Sequence, residues 1–144
     1  LVPRDNSARL LMRALKRGQT VAMVMDRRVD EGKFIRFFGR DKLSTTMPAK
    51  LALKLNCDLV PVQVERLKDA HYRVTFHPPI VPEDTGVDEN TQAIDMIQQV
   101  HHKFENWIRQ QPEDWFCSKR LWPKDKTQQT EESDSDADTK SCAS

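Results

Sequence analysis

The sequence predicts an α/β fold in which helices flank a mixed sheet. Two pairs of strand-like segments are separated by a helical pattern, and one helical pattern precedes them and a longer one follows. Apolar spacings near 3.6 and 2 residues alternate along the chain, which is the pattern of a layered α/β domain. At 144 residues the chain is long enough for one such domain.

The first segments indicate a helix followed by two strands. Residues 7–17 carry apolar side chains at helical spacing and end before a glycine. Residues 20–26, TVAMVMD, form a continuous apolar run, which is typical of a central strand covered on both faces. After a charged connection, residues 34–39, FIRFFG, predict a second strand that ends at Gly39.

The middle of the chain indicates a helix and a hairpin. Residues 44–56 begin with hydroxyl side chains and have Pro48 in the first turn, which suits a helix N-terminus. Residues 59–65 and 71–76 alternate apolar and polar side chains, so we expect an antiparallel pair. Pro61 marks an edge position, a bulge or the strand start.

The longest helix is predicted after a proline-rich connection. Asp88 or Asn90 is expected to cap it and Pro112 to end it. Its apolar face is formed by Ile97, Val100, Phe104, Trp107 and Ile108.

Charge and composition divide the chain into an ordered domain, residues 1–124, and an acidic tail, residues 125–144. The tail has six acids and two bases, which leaves 21 bases and 16 acids in the domain. A tail without apolar periodicity is expected to be disordered. The basic surplus of the domain suits an anionic partner: phospholipid head groups, phosphorylated sugars or nucleic acid.

Several kinds of site are not indicated. The three cysteines, Cys57, Cys117 and Cys142, are widely spaced, so we expect free thiols in a reducing compartment. Neither a P-loop nor a dinucleotide fingerprint occurs, and we expect no cofactor and no metal.

Apolar runs stay well below the ~20 residues that span a bilayer, so any membrane contact is expected to be peripheral. The chain starts at Leu1 without methionine, which predicts a fragment or a processed product.

Four stretches together resemble a known family: VAMVMDRRVDEGKFIRFFGRDKLSTT, LALKLNCDLVPVQVER, YRVTFHPPI and ENWIRQQPEDWFCSKRLWPK. They are similar to the C-terminal part of the lipid A biosynthesis lauroyl or myristoyl acyltransferases, within the lysophospholipid acyltransferase superfamily. The likeness covers about residues 8–124 and implies the C-terminal portion of an acyltransferase domain.

The resemblance implies transfer of a fatty acyl chain from an acyl carrier protein thioester to a hydroxyl of a phosphorylated glycolipid. The acceptor is a lipid A precursor or another lysolipid, at the cytoplasmic face of the bacterial inner membrane. In the family, a His with an acid five positions later deprotonates the acceptor, and this sequence lacks that pair. His101 and Glu105 are four apart and are interpreted as a surface pair on a helix. The chain alone is therefore expected to be inactive.

The resemblance places Asp26 beside the active site and assigns it a supporting role there. The alternative interpretation is that Asp26 caps the backbone N–H groups of a turn. Arg28 is expected to bind substrate phosphate, although it and Arg27 could simply be solvated. Phe37 and Phe38 are candidates for the wall of an acyl groove, or else core residues.

The other substrate-binding residues that the resemblance implies are a glycine, two threonines, a proline and two arginines. Gly39 permits a tight turn. Thr45 and Thr46 open a helix whose N-terminus attracts an anion, unless they only cap it. Pro61 shapes the substrate wall, and Arg66 and Arg120 supply positive charge.

The final stretch allows two interpretations. Lys119 and Arg120 lie among Trp115, Phe116 and Trp122, which fits either an interfacial membrane anchor or a packed lid.

A competing function is a noncatalytic basic adaptor that binds anionic membrane or nucleic acid through Arg27, Arg28, Lys119 and Arg120. Against it, the basic residues are scattered among acids without interleaved aromatic residues, so we expect no nucleic acid partner.

Overall fold

A computed structural model describes residues 7–27, 29–115 and 120–122. The predicted tail, Arg28, Lys119, Phe116, Cys117 and Cys142 lie outside these residues. The elements are α1 (Ser7–Lys16), β1 (Lys33–Phe37), β2 (Arg40–Ser44), α2 (Met47–Leu55), β3 (Val62–Arg66), β4 (Tyr72–Phe76), α3 (Glu89–Gln110) and a short 3-10 helix (Pro112–Asp114). The α/β class is confirmed.

The first hairpin joins β1 and β2 through a two-residue turn. Phe37 pairs with Arg40 across it, and Phe38 and Gly39 both have positive φ, at 51° and 74°. Two positive φ values are the signature of a type I′ turn, whose twist matches that of the flanking strands. The sequence prediction stopped at the first strand and assigned Ser44 to the following helix. That assignment was wrong, because Ser44 is the last residue of β2.

The prediction of a central strand at residues 20–26 was also wrong. These residues belong to neither sheet, although burial alternates between half-buried and exposed along residues 21–25, which is the period of an extended chain. A strand requires a hydrogen-bonded neighbour, and an apolar run does not supply one by itself. Val24 is 73% exposed, so the run is not covered on both faces.

The second hairpin, β3–β4, is antiparallel as expected. Among the described residues the four strands form two separate two-stranded sheets instead of one mixed sheet. Val62 lies opposite Phe76 and Val64 opposite Val74, and all four side chains are exposed. This hairpin therefore carries an apolar face that the described residues leave in contact with solvent.

The core lies where α3 packs against α2 and β1. Ile97 and Val100 of α3 are buried with Ala49 and Ala52 of α2 and Ile35 of β1. Small residues on α2 let the two helices approach closely.

The ends of α3 follow the sequence prediction. Asp88 is the N-cap, and its carboxylate accepts hydrogen bonds from the backbone of Asn90 and Thr91 at 2.9 and 3.1 Å. Pro112 follows the last residues of the helix. None of the helices in the described part of the chain is long and apolar enough to cross a bilayer.

Candidate functional site

An apolar groove separates the β3–β4 hairpin from the C-terminal half of α3. Its volume is about 390 Å³. The lining residues come from the extended segment (Met23, Val24, Met25, Asp26), from β3 (Val62, Gln63, Val64), from α3 and its end (Phe104, Trp107, Ile108, Gln111) and from Asp114 and Trp115. The structure thus places the predicted site residue Asp26 at this groove.

The α3 wall of the groove is aromatic because its residues follow helical spacing. Phe104 and Trp107 are three apart, and their ring centroids are 5.3 Å apart. Trp107 also contacts the His77 ring, and the two ring centroids are 4.7 Å apart. His77 in turn lies 3.2 Å from the amide oxygen of Gln63. These contacts fix the distance between the hairpin and α3, and so the width of the groove.

A buried polar cluster lies behind the first hairpin. His101 is 1% exposed, and its Nδ1 lies 2.9 Å from the carbonyl oxygen of Arg36. Since a carbonyl only accepts, Nδ1 carries the proton and Nε2 is the acceptor. The hydroxyl of Ser44, 3.2 Å away, therefore donates to Nε2. Burial, as the largest cause, lowers the pKa of His101 to about 4, so the imidazole is neutral near pH 7.

Lys42 is a further member of this buried cluster. Its ammonium lies 3.3 Å from the hydroxyl of Ser44 and 5.6 Å from the centre of the Phe37 ring. Burial lowers the pKa of Lys42, and the negative charge of Asp26 opposes part of that shift.

The interpretation of His101 and Glu105 as a surface pair was wrong, since both side chains are buried. Glu105 accepts hydrogen bonds from the backbone N–H of Phe38, at 2.8 Å, and from Arg109, at 2.9 Å. Both residues therefore attach α3 to the first hairpin.

The two phenylalanines differ in environment. Phe37 is buried and stacks on Trp122, whose indole N–H donates to the carbonyl oxygen of Phe37 at 3.3 Å. Phe38 is half-buried, between the ring of Trp115 at 5.9 Å and the guanidinium of Arg109 at 5.0 Å. Phe37 thus has the environment of a core residue. The stretch that contains Trp122 was predicted to be either an interfacial membrane anchor or a packed lid. The contacts of Trp122 itself with Phe37 are those of a packed residue.

The predicted anion-binding hydroxyls lie elsewhere. Thr45 and Thr46 line a second hollow of about 470 Å³. The hydroxyl of Thr45 accepts from the backbone of Met47 at 3.2 Å, while Thr46, the N-cap of α2, makes no capping bond with its side chain. Two lysines and two glutamates share the lining, namely Lys50, Lys54, Glu31 and Glu89. The described lining of this hollow therefore carries no net charge that would attract a phosphate.

The remaining predicted residues that the structure describes are not brought together at the groove. Pro61 is buried immediately before β3, and Arg66 ends β3 with its side chain exposed. Arg120 is exposed, and Gly39 occupies the hairpin turn. Arg28 lies outside the described residues.

Sequence reasoning missed the cluster of Lys42, Ser44 and His101. The available signal was Phe38–Gly39 as a two-residue turn, which would have paired the residues after it with those before it. Within the described ranges, no three His, Cys, Asp or Glu side chains are grouped so that they could hold a metal ion.

Similarity to known proteins is found at the level of a protein family. No curated protein matches the chain. A family model described as bacterial lipid A biosynthesis acyltransferase matches residues 1–124. Since the match includes both hairpins, all three helices and the groove, the chain belongs to the bacterial lipid A biosynthesis acyltransferase family.

Proposed function

We propose that this chain takes part in moving a fatty acyl chain from an acyl carrier protein thioester to a hydroxyl of a lipid A precursor or a related lipid. The observation that carries the proposal is the family match over residues 1–124. The reaction would take place at the cytoplasmic face of the bacterial inner membrane, where such an acceptor is embedded.

The chemistry requires a general base. The acceptor oxygen attacks the thioester carbonyl and its proton passes to the base; the C–S bond then breaks, and the departing sulfur takes that proton from the base to leave as a thiol. His101 is unsuited to this role, because it is buried and its acceptor nitrogen is occupied by Ser44. We therefore propose that a His with an acid five positions later, outside these 144 residues, supplies the base.

The groove supports a role in holding apolar substrate. Its α3 wall is built from Phe104, Trp107 and Ile108, which suit an acyl chain. The charged residues among its described lining, Asp26 and Asp114, are both acids. Phosphates of the acceptor would be repelled there, so Asp26 is proposed to orient the attacking hydroxyl or the base.

The test is Asp26→Asn in an enzyme that combines this chain with a segment carrying the proposed base. Transfer from a radiolabelled acyl carrier protein thioester to a lipid A precursor should fall about 10-fold or more, mainly in kcat. Thermal unfolding should stay unchanged. Asp58→Asn, at an exposed site away from the groove, is the matched control.

Two results would overturn parts of the proposal. Full activity of a folded Asp26→Asn enzyme would remove Asp26 from the site. Transfer by residues 1–144 alone would show that the base lies within this chain.

A further inference from the structure

Helix α1 and the residue after it present a basic face without acids. Residues 7–17 include four bases, Arg9, Arg13, Lys16 and Arg17, and no acid. All four side chains are exposed, and within the described part of the chain none of them pairs with a carboxylate. Because the three arginines are spaced four residues apart, their charges lie along one side of the helix and repel one another.

The opposite side of α1 faces the rest of the molecule, where the helix packs against α2. Leu11 is buried, and Leu15 is half-buried. Leu10, in contrast, is 38% exposed. It precedes Arg13 by three residues and Arg17 by seven, so it lies on the same side of the helix as those two arginines. The solvent-facing side of α1 therefore combines four cations with one exposed leucine.

The stability of α1 itself does not account for these charges. The helix dipole favours cations in the last turn, which contains Arg13 and Lys16, but it disfavours a cation in the first turn, where Arg9 lies. Repulsion between Arg9 and Arg13 adds to that cost. An anionic partner on this side of the helix would offset both effects.

We propose that the basic face of α1 binds the anionic phospholipid surface of a membrane. The four cations would lie among the lipid head groups, and Leu10 would enter the boundary between head groups and acyl chains. The apolar stems of the arginines can lie beside Leu10 while their guanidinium groups stay at the phosphates. This contact extends the proposed function and rests on it for the membrane as the place of the reaction.

This orientation leaves the apolar groove free for an acyl chain. The described lining of the groove includes no residue of α1. Met23, which lines the groove, follows Arg17 by six residues, so the two lie no more than about 22 Å apart even along a fully extended chain. Head groups at α1 and an acyl chain in the groove would therefore occupy neighbouring but separate parts of the molecule.

The chemistry of the basic face favours lipid over other anionic partners. Protein interfaces depend on buried aromatic and apolar anchors, and residues 7–17 contain no aromatic residue. Proteins that bind single-stranded nucleic acid also use aromatic side chains, on which the bases stack. A fluid lipid surface requires neither, because its head groups can rearrange around exposed cations.

Binding can be measured by co-sedimentation of chain 1–144 with lipid vesicles. Vesicles of phosphatidylcholine and phosphatidylglycerol in equal parts should bind the chain about 10-fold or more tightly than vesicles of phosphatidylcholine alone. Raising the salt concentration from about 0.1 to about 0.5 M should remove most of the difference, because salt screens exposed charges. The measurement involves no acyl transfer, so its failure and a failure of the proposed function are distinguishable.

Three variants make the test specific to α1. Arg13→Glu places an acid in the basic face and should weaken binding to the phosphatidylglycerol vesicles about 10-fold or more. Lys68→Glu is the matched control, because it makes the same change in net charge at an exposed position in the loop of the second hairpin. Its affinity should change less than about threefold. Leu10→Gln removes the exposed apolar side chain and should weaken binding about threefold or more. Thermal unfolding of the three variants should match that of the unaltered chain, since all three side chains are exposed.

Three outcomes would overturn the proposal. The first is equal affinity for the two kinds of vesicle, as expected if the acidic residues 125–144 occupy α1 instead. The second is a loss in Arg13→Glu no larger than that in Lys68→Glu, or full affinity in Leu10→Gln. The third is release of the chain from the vesicles by polyaspartate at equal concentrations of carboxylate and lipid phosphate, which would identify an acidic polypeptide as the preferred partner.

Discussion

The imidazole of His101 is held neutral by its surroundings. Burial and the nearby charge of Lys42 oppose its protonation, and the Arg36 carbonyl and the Glu105 carboxylate favour it. Burial is the largest cause, so the balance places the pKa at about 4, below the ordinary value of 6.5. The neutral ring is the form that can accept the Ser44 hydroxyl and donate to Arg36.

This environment predicts a pH-dependent stability. The unfolded chain binds a proton at His101 below about pH 6.5, whereas the folded chain does so only near pH 4. The stability that the neutral His101 contributes to the folded chain is therefore complete above pH 6.5 and is lost as pH falls toward 4. At about 1.4 kcal/mol per pKa unit, up to about 3 kcal/mol of the free energy of unfolding is lost. Urea unfolding between pH 4 and 7.5 measures it.

Other ionisable groups can also make stability depend on pH, so the comparison must be between variants. His101→Gln should flatten the dependence between pH 6.5 and 4, while His102→Gln, at the exposed neighbouring position, should keep it. Identical pH profiles for the two variants would show that another group is responsible.

Two glycines at the first hairpin serve different purposes: Gly39 lies in its turn, and Gly32 directly precedes β1. At Gly39 a Cβ would meet no described atom within 4 Å, so the obstacle to a side chain there is the positive φ of 74°. At Gly32 a Cβ would lie 2.2 Å from the carbonyl oxygen of Ser44. That contact is with backbone at the end of β2, next to the His101 cluster, so a rotamer change would not relieve it.

These two positions form a matched pair. Gly39→Ala should lower the free energy of unfolding by about 1–2 kcal/mol, the cost of a left-handed L-residue. Gly32→Ala should cost about 3 kcal/mol or more, because β1 and β2 must separate or shift. Chemical denaturation measures both. Equal losses would mean that the close approach at Gly32 does not persist in solution.

Periodicity identified the elements that depend on local sequence. The apolar spacing of α3 and the alternation of β3 and β4 were sufficient, because each pattern is repeated within its own segment. Strand pairing is not local, so the apolar run at residues 20–26 predicted a strand that has no partner among the described residues. Residues 40–42 are all charged and lack the apolar alternation of a strand. The strand β2, which follows the turn at Phe38–Gly39, was therefore not predicted.

The same limitation applies to the candidate site. Asp26 could be singled out because it ends a conspicuous apolar run. His101 could not, since its burial depends on Ser44 and Arg36, whose strands come from the hairpin that periodicity did not reveal. His101 lies four positions from the apolar Ile97 and four from the charged Glu105. Helical spacing is therefore compatible with either a buried or an exposed position for its side chain.

At the scale of the whole molecule, apolar surface is unevenly distributed. The core among α2, α3 and β1 is closely packed, whereas Phe76 is 72% exposed and Val74 is 52% exposed on the second hairpin. Neighbouring Val62 and Val64 extend this surface to the groove. A contiguous exposed patch of this kind is a feature of interaction surfaces rather than of a molecule's free exterior.

The double variant Val74→Thr and Phe76→Thr should therefore leave the free energy of unfolding within about 0.5 kcal/mol, since neither side chain loses a buried contact. Threonine keeps the strand preference of both positions. Binding of the dye ANS, which reports exposed apolar surface, should fall. Ile97→Ala provides the contrast, because its side chain is fully buried and its removal should cost about 2–5 kcal/mol. A loss above about 1 kcal/mol in the double variant, growing with protein concentration, would show that copies of the chain already cover this face in solution.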